Sequence, residues 1–93
     1  MKAMWKNVIL AESDDTIEVE GNHYFPPHTI NKQYLKESDY HTFCGWKGQA
    51  SYYHIDVDGE VNKDAAWYYL DPKEAAKNIK NHVAFRRGIE VVK

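Results

Sequence analysis

The stretch of sequence that decides the fold spans residues 43–53 and reads Phe43-Cys44-Gly45-Trp46-Lys47-Gly48-Gln49-Ala50-Ser51-Tyr52-Tyr53. It holds the only cysteine of the chain, and it places a lysine and a tryptophan between two glycines. Glycines three residues apart let the backbone bend tightly or approach another group closely. We therefore predict a bend that brings a thiol, an ammonium and an indole together.

The residues after this bend predict a β-strand. Polar and apolar side chains alternate from Ala50 to Val57, which is the period of a strand with two different faces. One face carries Ala50, Tyr52, His54 and Asp56, and the other carries Ser51, Tyr53, Ile55 and Val57. Asp58-Gly59 follows, a dipeptide that favours a tight hairpin turn.

Outside this region the sequence predicts more short strands and little helix. Further strands are expected at Val8–Ala11, Thr16–Glu20, His23–Phe25, Tyr40–Phe43, Glu60–Lys63, Ala65–Leu70, Val83–Phe85 and Ile89–Val92. A hairpin turn is expected at Gly21-Asn22, and the last two strands are expected to pair around Arg87-Gly88.

Two segments have helical patterns. One or two turns are expected within Ile30–Lys36. A longer helix is expected to begin at an Asp71 N-cap with Pro72 at its first position and to end near Asn81. The predicted fold class is therefore mainly β (α+β): a single antiparallel curled sheet or small barrel with one or two short helices.

Length and charge limit the classes of protein. Ninety-three residues predict one domain, residues 1–93. A net charge of −2 argues against duplex nucleic acid as a partner, because such binding depends on neutralising phosphates. A single cysteine cannot form an intramolecular disulfide, and no stretch approaches the ~20 apolar residues of a membrane span. We expect a cytoplasmic protein without membrane association.

Four patches together resemble one family. They are Tyr24-Phe25-Pro26, Cys44-Gly45-Trp46-Lys47-Gly48 with Ala50 and Tyr52, Trp67-Tyr68-Tyr69 with Pro72, and Val83-Ala84-Phe85. In order and spacing they resemble the small bacterial domain of unknown function DUF427, which sometimes carries a nucleotidyltransferase-like label. The family usually has a proline where this chain has Gly45.

The resemblance implies a fold similar to a β-tent, and it implies no established activity. Some β-tent domains hold zinc through four cysteines, which this chain lacks. No phosphate-binding loop of the GxxxxGK type is present either. We therefore expect no metal and no cofactor.

Cys44 and Lys47 are the candidate catalytic residues. Cys44 would be a nucleophile if a neighbouring cation, Lys47 or His41, lowered its pKa, and otherwise it is a small apolar residue packed at a strand end. Lys47 would bind a phosphate or carboxylate, and Gly48 would let backbone N–H groups face the same anion. The alternative for Lys47 is an exposed turn lysine whose stem covers an aromatic ring.

Aromatic residues are the candidate walls of a ligand pocket. Trp46 lies within the bend, while Tyr52, Trp67 and Tyr69 lie on predicted strands. Ligand pockets are mostly apolar with a few directed polar groups. The alternative is that these side chains form the core that so small a domain needs, and we favour this alternative for Tyr52 and Trp67.

The remaining polar patterns predict structure. None of the five histidines has the spacing of a zinc site, and a His54–Asp56 cluster is expected to be structural or exposed. Asp56-Val57-Asp58-Gly59 lacks the glutamate that a calcium loop needs, so a hairpin is the better interpretation. Arg86-Arg87 is expected in a solvated turn.

Three functional hypotheses remain open from sequence. The leading one is a binding or catalytic site for a small anionic molecule at the Cys44–Gly48 bend, with Trp46, Lys47, Gly48, Tyr52 and Trp67 as ligand contacts. The alternative is a protein-interaction module without catalysis, in a chain that is a monomer or a homodimer. The third is a platform for single-stranded nucleic acid, against which the net charge weighs.

Overall fold

The protein is mainly β, as the sequence predicts. Its structure, a computed structural model, describes residues 1–93. The strands are β1 (Lys2–Trp5), β2 (Val8–Glu12), β3 (Ile17–Val19), β4 (Asn22–Tyr24), β5 (Leu35–Cys44), β6 (Gly48–Val57), β7 (Glu60–Tyr68), β8 (Val83–Phe85) and β9 (Glu90–Val92). Three short 3₁₀ segments complete the fold, at Pro27–Thr29, Lys32–Tyr34 and Glu74–Ile79. None of these helical segments is long and apolar enough to cross a bilayer.

The strands form three antiparallel sheets, and none of the sheets closes into a barrel. Their orders are β2-β1-β9, β3-β4 and β5-β6-β7-β8. The prediction of one curled sheet is therefore not confirmed. β1 was not predicted from sequence. It is the central strand of its sheet and brings the N-terminal and C-terminal parts of the chain together, because it pairs with both β2 and β9.

The four-stranded sheet separates two hydrophobic clusters. Ala50 and Tyr52 of β6 belong to one cluster, while Ile55 and Val57 belong to the other, and Tyr53 packs against that second one. This is the division of faces that the alternating sequence predicts. We call the side with Tyr52 the tyrosine-52 face and the opposite side the tyrosine-53 face.

The β6–β7 hairpin confirms the turn at Asp58-Gly59. Both residues have positive φ, 52° and 83°, which matches the right-handed twist of the flanking strands. The return strand differs from the prediction, because the two expected strands are one continuous β7. Asp64 lies between them at φ 53°, where the pairing of β6 with β7 shifts register.

The helix predicted from Asp71 to Asn81 is present only as a shorter segment of a different type. The chain instead forms a 3₁₀ segment, Glu74–Ile79, interrupted at Ala76, and no side chain caps its start. Ala76 and Ile79 are both buried in the hydrophobic cluster on the tyrosine-52 face, which we call the tyrosine-52 cluster. The backbone at Ala76 departs from helical geometry, with φ −122° and ψ 19°, so the two buried residues do not belong to one regular helical turn. The helical turns expected within Ile30–Lys36 are the single 3₁₀ turn Lys32–Tyr34.

Two predicted turns also differ in detail. The β3–β4 turn lies at Glu20–Gly21, where both residues have positive φ, rather than at Gly21-Asn22. The strands on either side of Arg87-Gly88 do not pair with each other. β8 extends the four-stranded sheet and β9 pairs with β1, so the turn passes the chain from one sheet to another.

Candidate functional site

The predicted bend is the tip of the β5–β6 hairpin. Cys44 and Gly48 are opposite each other at its base, and Gly45, Trp46 and Lys47 form the loop. Gly48 has φ 105°, and a Cβ there would lie 3.6 Å from the Asp71 carbonyl oxygen. The second glycine therefore provides a backbone conformation that L-residues rarely adopt.

The segment after β7 holds the bend in place. The Lys73 backbone N–H donates to the Lys47 carbonyl oxygen at 2.9 Å, and the Lys73 ammonium donates to the Gly45 carbonyl oxygen at 2.7 Å. The Lys73 ammonium also lies 5.1 Å from the centre of the Phe43 ring. The loop is thus tied at two of its carbonyl groups and is part of the folded framework.

Lys47 is the only buried charged residue of the chain. It is 7% exposed, and its ammonium forms a hydrogen-bonded ion pair with Glu20, whose side chain is 55% exposed. The ammonium also lies 5.0 Å from the centre of the Trp46 ring and 5.9 Å from that of Tyr69. The sequence alternative of an exposed turn lysine is therefore wrong, because the cation is enclosed by two rings and one carboxylate.

Electrostatics keep this ammonium charged. Burial alone lowers the pKa of Lys47, but the hydrogen bond to Glu20 and the nearby Tyr24, Glu20 and Cys44 outweigh burial, so the pKa is raised. Burial also raises the pKa of Tyr69 and of Tyr24, so both phenols stay neutral at physiological pH. The site is a fixed positive charge in a neutral aromatic wall.

Cys44 lies at the base of the bend, near the Lys47 ammonium. The thiol is half-buried and close enough for its charge state to affect the pKa of both Lys47 and Tyr69. His41, the other cation proposed from sequence, bonds Ser51 through Nδ1 at 3.2 Å. The structure therefore brings Cys44 together with Lys47, as the bend predicts.

The aromatic candidates divide into two groups. Trp46 is 42% exposed, and the Lys47 ammonium lies 5.0 Å from the centre of its ring. Tyr52 and Trp67 are cross-strand neighbours packed in or against the tyrosine-52 cluster. The Trp67 indole N–H donates to the Tyr24 hydroxyl at 3.1 Å, whereas the Tyr52 hydroxyl bonds Thr42 at 2.9 Å. Tyr52 and Trp67 are therefore packing residues of the core beneath the bend.

Sequence reasoning missed two contacts of Lys47. Glu20 is 27 positions away and Tyr24 lies on the following strand, so no local spacing links them to the bend. Both come from the β3–β4 hairpin, a separate sheet. The signal within the sequence was only that Glu20 precedes a glycine turn.

A second polar cluster lies on the tyrosine-52 face. His54 lies 3.6 Å from a carboxylate oxygen of Asp64, which also accepts from the Ser38 hydroxyl. The predicted partner of His54 was Asp56, but Asp56 accepts from the Gly59 N–H in the hairpin turn. Arg86 is not in a solvated turn, since its guanidinium carbon lies 4.8 Å from the centre of the Tyr52 ring. No group of three or more histidine, cysteine or acidic side chains is arranged to hold a metal ion.

A cavity lies elsewhere on the molecule. A cavity of about 510 Å³ opens on the tyrosine-53 face, and none of the six candidate site residues lines it. The bend therefore does not open into this cavity. A ligand that reaches the Lys47 ammonium must displace Glu20 or move Trp46, because these two side chains cover it.

Comparison with known proteins identifies the family. The family model described as "Domain of unknown function (DUF427)" matches residues 1–92, so the chain belongs to this family. The match covers the bend, the β3–β4 hairpin and both faces of the four-stranded sheet. No curated protein matches the chain.

Proposed function

We propose that this protein binds a small carboxylate- or phosphate-bearing molecule at the Cys44–Gly48 bend, with the Lys47 ammonium as the anion contact. One observation carries the proposal: the only buried cation of the chain is paired with a carboxylate on a half-exposed turn. Glu20 occupies the position that the anionic group of a ligand would take.

The energetics are compatible with exchange of one anion for another. A buried ammonium is strongly destabilising without a partner, so the site always needs a negative charge beside it. Glu20 is solvated enough to recover hydration when it leaves, because its side chain is 55% exposed. A ligand anion then restores the ion pair. The exposed ring of Trp46 would contact the rest of the ligand.

The proposal is one of binding. Cys44 would lie near the anion, but the proposal gives its thiol no catalytic role, since His41, the base nearest to it in sequence, bonds Ser51 instead. Gly48 contributes through the backbone, while Tyr52 and Trp67 hold the sheet beneath the site. Residues 1–93 act as one domain in this proposal.

Titration of the ¹⁵N-labelled protein with inorganic phosphate, citrate and adenosine monophosphate tests the proposal. We expect saturable shifts of the Gly45–Gly48 amide signals with at least one of the three. Lys47→Met keeps the buried stem and removes the charge, so the fold is retained and the shifts are lost.

Lys77→Met is the matched control, because Lys77 also pairs with a glutamate but is 68% exposed. It should bind like the wild type. A panel that leaves Gly45–Gly48 unmoved, or a Lys47→Met variant that responds as the wild type does, contradicts the proposed function.

A second candidate function, a protein-interaction module, is favoured by the exposed edge of β5. β5 is the outer strand of the four-stranded sheet, and Phe43 and Tyr40 on it are 70% and 47% exposed. Exposed edges accept a further strand, from a peptide or a second copy of the chain. Size-exclusion chromatography with light scattering tests self-association: a dimer that Phe43→Ser dissociates supports this candidate, and a monomer at all concentrations counts against self-association.

A further inference from the structure

The 510 Å³ cavity has a floor made by the four-stranded sheet. Tyr53 of β6 and Tyr68 of β7 are diagonal neighbours on the tyrosine-53 face, with ring centres 4.7 Å apart and planes at 22°. Val83 lies beside Tyr68 on β8, and Leu35 lies at the β5 end of the same surface. The floor is thus two stacked rings bordered by aliphatic side chains.

Two opposite charges stand at the rim of this floor. Glu37 is directly opposite Tyr53 across the β5–β6 ladder, and Lys32 comes from the 3₁₀ turn that precedes β5. Both are exposed, and neither takes part in any of the five ion pairs of the chain. The cavity therefore offers one free cation and one free anion beside an aromatic floor.

We propose that this cavity binds a small zwitterion with an aromatic group, of the chemical class of an aromatic amino acid or a dipeptide. Its carboxylate would pair with Lys32, its ammonium with Glu37, and its ring would pack on Tyr53 and Tyr68. The volume lies within the range of about 300–1,000 Å³ that is usual for small-molecule sites. The inference goes beyond the proposed function and is independent of it, because the bend packs on the opposite face of the sheet.

The protonation state of Tyr53 supports this chemistry. Burial, with smaller contributions from the neighbouring Tyr68 and the Glu37 carboxylate, raises the pKa of Tyr53 to about 12. Its phenol is therefore neutral at physiological pH. A neutral ring adds no negative charge that would repel the ligand carboxylate, and together with the Tyr68 ring it offers an aromatic surface for packing.

Calorimetric titration with three compounds tests the inference, with ¹⁵N spectra to locate binding. The compounds are L-phenylalanine, L-phenylalanyl-L-leucine, and N-acetyl-L-phenylalanine amide, which carries the same ring without either charge. We expect the first or the second to shift the Tyr53 and Tyr68 amide signals and to bind about tenfold more tightly than the blocked compound. The tighter of the two zwitterions identifies the length of the ligand.

Three variants complete the test. Lys32→Gln and Glu37→Gln should each reduce the affinity for the zwitterion about tenfold and leave that for the blocked compound unchanged. Lys36→Gln is the control, because Lys36 lies on the same strand opposite His54, on the other face. All three positions are exposed, so the fold is retained. Equal binding of charged and blocked compounds, or no shift at Tyr53 and Tyr68, overturns the inference.

Discussion

At the scale of single residues, the two glycines of the bend have different roles. Gly48 has φ 105° and lies against the segment that follows β7, whereas Gly45 has no positive φ and nothing within 4 Å of where a Cβ would be. Only the second glycine is required by the backbone. The shape of the Lys47 site therefore depends on Gly48.

Gly48→Ala should destabilise the protein by about 1–3 kcal/mol, because an L-residue is strained at this φ. The added methyl group meets its nearest neighbours at 3.6 Å, an ordinary contact distance, so the cost comes from the backbone. Urea denaturation measures the change in the free energy of unfolding. Gly45→Ala is the control and should change it by less than about 0.5 kcal/mol; equal losses in the two variants would show that φ at Gly48 is not the cause.

At the scale of elements, the segment Glu74–Ile79 shows why the local sequence pattern was insufficient to predict where a helix begins and which type it is. Asp71, Pro72 and Glu74 have the spacing of a helix start, yet the turn begins at Lys73 without a side-chain cap. Lys73 is held to the bend by two hydrogen bonds, and Pro72 is buried. These tertiary contacts fix the direction in which the chain enters the segment and override the capping pattern.

Asp71→Ala should therefore cost less than about 0.3 kcal/mol, whereas loss of an N-cap aspartate typically costs about 0.5–2 kcal/mol. Asp71 is exposed and its side chain makes no hydrogen bond to the 3₁₀ segment. Thermal and urea unfolding of the variant measure the difference. A loss of more than about 1 kcal/mol would mean that Asp71 does cap this segment in solution.

The sequence predicted those elements whose pattern is local. The alternation of β6 and the Asp58-Gly59 turn are encoded within a few residues, and both are confirmed. The division into three sheets depends on β1, a four-residue strand with no clear alternation of its own. The Glu20–Lys47 pair joins two sheets, so no spacing in the sequence encodes it, although the composition of the bend did indicate Lys47.

At the scale of the whole molecule, the four-stranded sheet places the two candidate sites on opposite faces. Tyr52 and Tyr69 support the bend on one side, and Tyr53 and Tyr68 form the cavity floor on the other. Burial raises the pKa of two of these phenols, Tyr53 and Tyr69, so the folded state retains protons that the unfolded chain loses. Stability is therefore linked to pH on the alkaline side.

The free energy of unfolding should fall as the pH rises from 10 to 12. The pKa of Tyr53 is raised from 10.0 to about 12, so its contribution is fully present below pH 10 and is lost as the pH rises through 12. Tyr53→Phe removes this titration and should make the fall shallower by about 1 kcal/mol, allowing for screening at a partly exposed ring. Urea denaturation at pH 8, 10 and 11.5 measures it. An unchanged pH dependence in Tyr53→Phe would contradict the assignment of this titration to Tyr53. Tyr34→Phe is the control, because Tyr34 is also partly buried and lies in the 3₁₀ turn beside β6.

The central claim is that Glu20 holds the place of a ligand anion on Lys47. The affinity of the Glu20→Gln variant for the anion that binds the wild type measures this claim most directly. A hydrogen bond to a charged group contributes about 1.5–3 kcal/mol, and about 1.4 kcal/mol is tenfold in affinity. Removing the internal competitor should therefore tighten binding about tenfold, as followed by the Gly45–Gly48 amide signals. Unchanged or weaker binding in a folded Glu20→Gln variant would show instead that Glu20 and Lys47 form a structural pair.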